Sequence, residues 1–203
     1  DSRKSLSQGD VGMLWEEHSV YLTKRSIKMA FGNLGLSVKK IIKYNYPQED
    51  ALAIFLEKCR LQKSKIKNLN EELKIGKEFI KKLNKTKAKI GKDIIKLSNG
   101  SKNTVIFGAG HRTSIFINIL NISKYIFGVI DDDKNKTGLY IPGTKIKIQN
   151  SKIINNKNIN LCLLSLNIEI EGKIINNLKK INKKLKFFSI APDSKFSLPI
   201  YRN

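Results

Sequence analysis

Past Gly100 the chain repeats one pattern: a short apolar run, a helical stretch, then another apolar run. The runs are Thr104-Val105-Ile106-Phe107, Ile126-Phe127-Gly128-Val129-Ile130, Leu161-Cys162-Leu163-Leu164-Ser165 and Leu185 to Ile190. Between them lie a helical pattern with Ser114, Ile115, Ile119 and Leu120 and another from about Glu169 to Ile181. Strands that are nearly all apolar and separated by helices mark a parallel sheet covered on both faces. Residues 101–203 therefore read as a small Rossmann-like α/β unit.

The first half has a different texture. Met13 to Thr23 is dense in aromatic and titratable groups. Thr23 caps a helical pattern with Ile27, Ala30, Phe31 and Leu34, and Gly35 stops it. Leu36 to Tyr44 reads as a strand closed by Tyr46-Pro47. Residues 49–98 read as helical. Leu52, Phe55, Leu56 and Cys59 recur at three- and four-residue steps, as do Ile66, Leu69 and Leu73, then Phe79, Ile80 and Leu83, then Ile90, Ile94 and Leu97. Gly76 and Gly91 are candidate breaks, Cys59 is a packing residue on the apolar face, and Asn99-Gly100-Ser101 ends the region. The organisation expected is thus 1–47, a helical connector over 48–100, and the α/β unit over 101–203.

Composition narrows the function classes. The 203 residues carry 39 Lys+Arg against 17 Asp+Glu, a formal charge of +22. That balance points to nucleic acid or an anionic surface. Arginine, however, stands only at Arg3, Arg25, Arg60, Arg112 and Arg202, and it is the residue preferred for bidentate phosphate and base contacts. Lys, Asn and Ile rise together, as in Lys152 to Asn160, which fits a solvated lysine surface better than a polyanion site. Nucleic acid is therefore not the expected partner. Cys59 and Cys162 are too few for a disulfide framework or a zinc cluster. No apolar run approaches a membrane span, and no basic-then-apolar leader is present, so the location expected is cytoplasmic.

One loop carries chemistry on its face. Gly108-x-Gly110 between strand and helix sets backbone N–H groups at a helix N-terminus, where phosphate binds. Asp131 closes the next strand at the spacing of a ribose-binding acid. Thr113 takes the place of the third glycine, and His111 and Arg112 add bulk where a pyrophosphate would approach. The loop is therefore either a nucleotide contact or only a tight turn. Asp131-Asp132-Asp133 reads as a solvated turn, and no metal ligands are assigned.

Three blocks resemble one family. Phe107-Gly108-Ala109-Gly110, Val129-Ile130-Asp131-Asp132-Asp133, and Lys136 to Thr144 with its Pro142-Gly143 turn resemble the C-terminal domain of sugar C-methyltransferases. Upstream, Trp15-Glu16-Glu17-His18 with Tyr21 and Thr23 is similar to the aromatic-x-Glu-His segment that ends the family's methyl-donor domain. The resemblance implies transfer of a methyl group from S-adenosylmethionine to a ring carbon of a nucleotide-linked keto-sugar, through an enolate. It implies His18 as the base that forms the enolate and Glu17 as its polar support. Trp15, Tyr21, Gly108, Gly110, His111, Asp131, Pro142 and Gly143 are the implied substrate contacts. The family often has Tyr where Trp15 stands, so a phenol's role has no counterpart here. The family's glycine-rich donor loop and its zinc module would precede residue 1. The chain then reads as the C-terminal half of such an enzyme, its first residues a remnant of the methyltransferase domain, with no cofactor-binding residue of its own and its N-terminal half as a partner.

Three rivals make different demands. A nucleotide-sugar binding module without chemistry, akin to the N-terminal domains of sugar acyltransferases, lacks the Trp-Glu-Glu-His segment and continues into hexapeptide repeats. A lysine-rich RNA binder needs aromatics among its basic residues, whereas Phe107, Phe127, Phe187 and Phe188 lie in apolar strand patterns. An NAD-dependent reductase is disfavoured by Thr113 and the short sheet.

Overall fold

A computed structural model describes residues 1–15, 17–46, 50–60, 70–100 and 102–202. The chain divides into two compact units, Asp1–Asp10 with Glu16–Lys82, and Val11–Trp15 with Leu83–Asn203. Glu16, Pro47, Ile66, Leu69 and Ser101, which figure in the sequence reading, lie outside the described residues.

In the first unit, α1 (Arg3–Gln8) is followed by α2 (Lys24–Gly32). Thr23 caps α2 as expected: its hydroxyl accepts the Ser26 N–H at 3.1 Å, and Ser26 Oγ accepts the Thr23 N–H at 2.8 Å. Gly35, at φ +70°, turns the chain into β1 (Leu36–Asn45). β2 (Asp50–Lys58) then pairs antiparallel with β1, from Leu36 opposite Lys58 to Asn45 opposite Asp50. The helical reading of residues 49–98 is wrong for this stretch. Ala51 to Leu56 is a continuous apolar run of strand length, and such a run fits helical and extended templates alike. Pairing with β1 decides the case, and it leaves Phe55 53% exposed. Cys59 accordingly follows a strand and sits on no helix face.

The helical reading holds from Asn70. α3 (Asn70–Ser98) is one unbroken helix of 29 residues, so neither Gly76 nor Gly91 interrupts it. Glu71 and Glu72 in its first turn complement the helix dipole. Glu72 accepts from Arg3 at 3.0 Å and Glu71 from Arg25 at 2.6 Å. Gly91 has a packing reason: a Cβ there would overlap the Tyr125 ring.

The second unit is the α/β sheet. Its elements are β3 (Thr104–Phe107), α4 (His111–Leu120), β4 (Ile126–Ile130), β5 (Ile148–Gln149), β6 (Leu161–Leu164), α5 (Glu171–Ile181) and β7 (Lys186–Ser189). All five strands are parallel, in the order β5-β4-β3-β6-β7. Strand alternation feeds two cores. Ile106 and Leu163 pack with Ile90 and Ile94 of α3 and Phe116 and Ile117 of α4. Val105, Phe107, Cys162 and Leu164 pack with Ile175 and Leu178 of α5 on the other face. Burial pushes the Cys162 thiol up, which keeps it an inert packing group. β5 is the strand the sequence reading missed, although Lys145-Ile146-Lys147-Ile148 alternates as a half-buried edge does. No helix among the described residues is long and apolar enough to cross a membrane.

Candidate functional site

Parallel α/β sheets bind ligands outside the carboxyl ends of their strands, where the strand order reverses. Here that place is the end of β3, between its neighbours β4 and β6. Gly108 leaves β3 at φ +104°, and its N–H donates to Ile130 O at 2.7 Å. A Cβ on Gly108 would lie 2.5 Å from Ser165 O, so only glycine fits beside β6. Gly110 is the N-cap of α4, and nothing lies within 4 Å of a Cβ built there. Thr113, in the third-glycine position, turns its hydroxyl back to donate to Gly108 O and fastens the turn to the helix.

Asp131 serves this turn. Its Oδ2 accepts the Ala109 N–H at 2.9 Å and Lys136 Nζ at 3.0 Å, and its Oδ1 accepts the Asp133 N–H at 3.0 Å. Burial pushes its carboxyl up, but the Asp133 and Ala109 N–H groups and Lys136 outweigh that and hold it below its ordinary value. A carboxylate has about four acceptor sites, and three are taken, which leaves too few for both hydroxyls of a ribose. One acceptor site of Asp131 remains, enough for a single ligand hydroxyl. Asp132 and Asp133 likewise accept loop N–H groups, from Ser151 at 3.2 Å and Asn135 at 2.9 Å.

The structure brings together two residues far apart in sequence. His111, the first residue of α4, stacks on Trp15 with ring centroids 4.2 Å apart and planes inclined by 28°. Its Nε2 lies 2.9 Å from Leu14 O, and a carbonyl only accepts, so that nitrogen carries a proton. The contact follows from Val11–Met13, a short 3₁₀ turn whose Val11 is buried in the core of this unit. Trp15 itself stays 40% exposed. Sequence spacing gave no sign of the pair, because it depends on burial of Val11.

The other predicted residues fall elsewhere. Asn118 Nδ2 donates to Pro142 O at 2.9 Å, and a Cβ on Gly143 would lie 2.8 Å from Asn118 Oδ1. Asn118 is seven residues beyond His111 on α4, about 10 Å along the axis, so the Pro142-Gly143 turn stands away from the Trp15–His111 pair. Glu17, His18 and Tyr21 belong to the first unit. Glu17 and His18 are exposed there, and the His18 ring meets Tyr21 edge-on at 6.0 Å. One residue was missed altogether. Ser165 follows β6 beside Gly108, and its Oγ is buried without a hydrogen-bond partner.

Residues 48–192, well over half of the chain, match the family model of the C-methyltransferase C-terminal domain. No curated protein matches the chain.

Proposed function

Because the chain belongs to the C-methyltransferase C-terminal domain family, we propose that it is the C-terminal portion of a C-methyltransferase acting on a nucleotide-linked keto-sugar. Residues 1–47 end the domain that carries the methyl donor, 48–100 connect, and 101–203 form the C-terminal domain. β2 opens the connector and pairs with β1 of the first portion. The observation that carries the reading is the Trp15–His111 stack beside the Gly108 turn, at the carboxyl end of the sheet.

Each side chain has a task in this reading. Trp15 offers an aromatic face for the sugar, and His111 holds it in place. Gly108 and Gly110 let the backbone come close to the substrate, with Asp131 fixing the turn. Pro142-Gly143 borders a more distant part of the same face of α4. His18 takes the proton from the carbon beside the ketone, and the electron pair of that C–H bond moves to the carbonyl oxygen as an enolate. Imidazole suits the step because a ring nitrogen can take up a proton and return it. Tyr21 orients the ring, and Glu17 stands beside it as polar support. No residue of this chain is assigned to S-adenosylmethionine. The location is taken to be the cytoplasm, where nucleotide-linked sugars are made.

Titration of the chain with a nucleoside-diphosphate keto-sugar tests the substrate assignment. Trp15→Ala should weaken binding by about tenfold, or roughly 1.4 kcal/mol. Equal affinity of parent and variant would remove Trp15 from the site.

A further inference from the structure

The lysines are not spread evenly over the second unit. A cavity of about 940 Å³ is lined by Lys102, Lys124, Lys145 and Lys147, and none of its lining residues is acidic. It opens at the amino ends of β3 and β4 and along β5, at the far end of the sheet from the Gly108 turn. Lys102, Lys145 and Lys147 bring positive charge to one concavity, and Lys124 adds to it from the rim with its Nζ over the Tyr125 ring, so an anion is favoured there. Ser123 and Thr144 add hydroxyl donors, and Gln149 adds an amide.

Phe127 gives the cavity its second character. Every other residue of β4 is buried, as expected of a strand inside a doubly covered sheet, yet Phe127 is 41% exposed on the cavity wall. In sequence it lies in an apolar strand pattern. The backbone edge is closed, so strand addition is not the use of this surface: Gly138 N–H donates to Ile148 O at 2.9 Å and Ile148 N–H to Leu139 O at 2.8 Å. An exposed aromatic ring among lysines matches a ligand with a flat face and a charged tail.

We propose that this cavity binds a free nucleoside diphosphate, with its base on Phe127 and its phosphates on Lys145, Lys147 and their neighbours. A nucleic-acid strand needs a series of aromatic platforms. Phe127 is the single aromatic lining this cavity, and no aromatic lines the adjoining 460 Å³ cavity that shares Lys147 and Gln149. The proposal does not rest on the methyl-transfer reading: of the residues that reading uses, Gly143 alone lines this cavity, and it brings no side chain.

The test is isothermal titration of the full chain at low salt with ADP, and with pyrophosphate as a probe that lacks a base. Lys145→Glu/Lys147→Glu should weaken ADP by about tenfold or more, and the milder Lys145→Gln/Lys147→Gln pair should act in the same direction. Phe127→Ala should weaken ADP by about fivefold and leave pyrophosphate within about twofold. Lys77→Glu/Lys81→Glu on α3 makes the same charge change elsewhere and should leave ADP within about twofold. No saturable ADP binding, an equal loss from the α3 pair, or no effect of Phe127→Ala on ADP would overturn the assignment. So would binding of a dT10 oligonucleotide about a hundredfold tighter than ADP, which would assign the surface to a strand.

Discussion

Removing the Glu171 carboxylate should destabilise the α/β unit more than any surface change. Glu171 opens α5 and is fully buried. Its two oxygens accept the hydroxyls of Ser189, which ends β7, and of Ser194, the latter at 2.5 Å. Those hydroxyl oxygens in turn accept the N–H groups of Ala191 at 3.1 Å and Phe196 at 2.9 Å, so one carboxylate ties α5 to β7 and its following loop. Hydrogen bonds to a charged group contribute roughly 1.5–3 kcal/mol each, and their loss leaves two buried O–H donors without an acceptor. Relief of the buried charge offsets part of this, so Glu171→Ala should cost about 3 kcal/mol. That corresponds to roughly 6–12 °C in Tm for a protein of this size. Glu171→Gln keeps one acceptor and should cost about half as much. Combining Glu171→Ala with Ser189→Ala and Ser194→Ala should cost less than the sum of the single changes, because no orphan hydroxyl remains. Urea and thermal unfolding measure all of these. A Glu171→Ala loss under about 1 kcal/mol, or a gain in stability on Glu171→Leu, would refute the clamp.

Two further predictions concern the helix and the turn. Gly76→Ala meets open space and should stabilise by up to about 1 kcal/mol, whereas Gly91→Ala must displace the Tyr125 ring and should destabilise despite the same propensity gain; opposite signs in thermal unfolding check this. Asp131 has a lowered pKa, so its contribution is complete above the unfolded value of about 3.9 and is lost as pH falls through the lower folded value. The stability gap between the parent and Asp131→Asn should therefore be constant near neutrality and close below about pH 4, and urea unfolding across that range reads it.

Patterns carried by contiguous residues were legible in the sequence. The apolar runs Thr104–Phe107 and Leu161–Leu164 show their burial directly, and Thr23 and Gly35 mark where α2 starts and where the turn after it leads into β1. The order of the glycine turn, the Asp-rich strand end and the Pro-Gly loop was enough to suggest the family. What stayed hidden depends on partners distant in sequence. β2 is a strand because β1 pairs with it, and its spacing alone suits a helix equally well. Gly91 resembled a break because Tyr125, which requires it, is 34 residues away. The Trp15–His111 pair and the exposure of Phe127 follow from packing that no local pattern encodes. Asp131 stood at the right spacing for a ribose, but three donors from its own loop engage it.

The central claim is that His18 removes the proton beside the substrate ketone. In the enzyme assembled from this chain and its methyl-donor portion, deuterium wash-in from solvent at that carbon reports the step directly. His18→Asn should lower wash-in and methyl transfer together, by about a hundredfold or more, while the keto-sugar nucleotide binds with nearly unchanged affinity. Wash-in at the parent rate in His18→Asn would contradict the account.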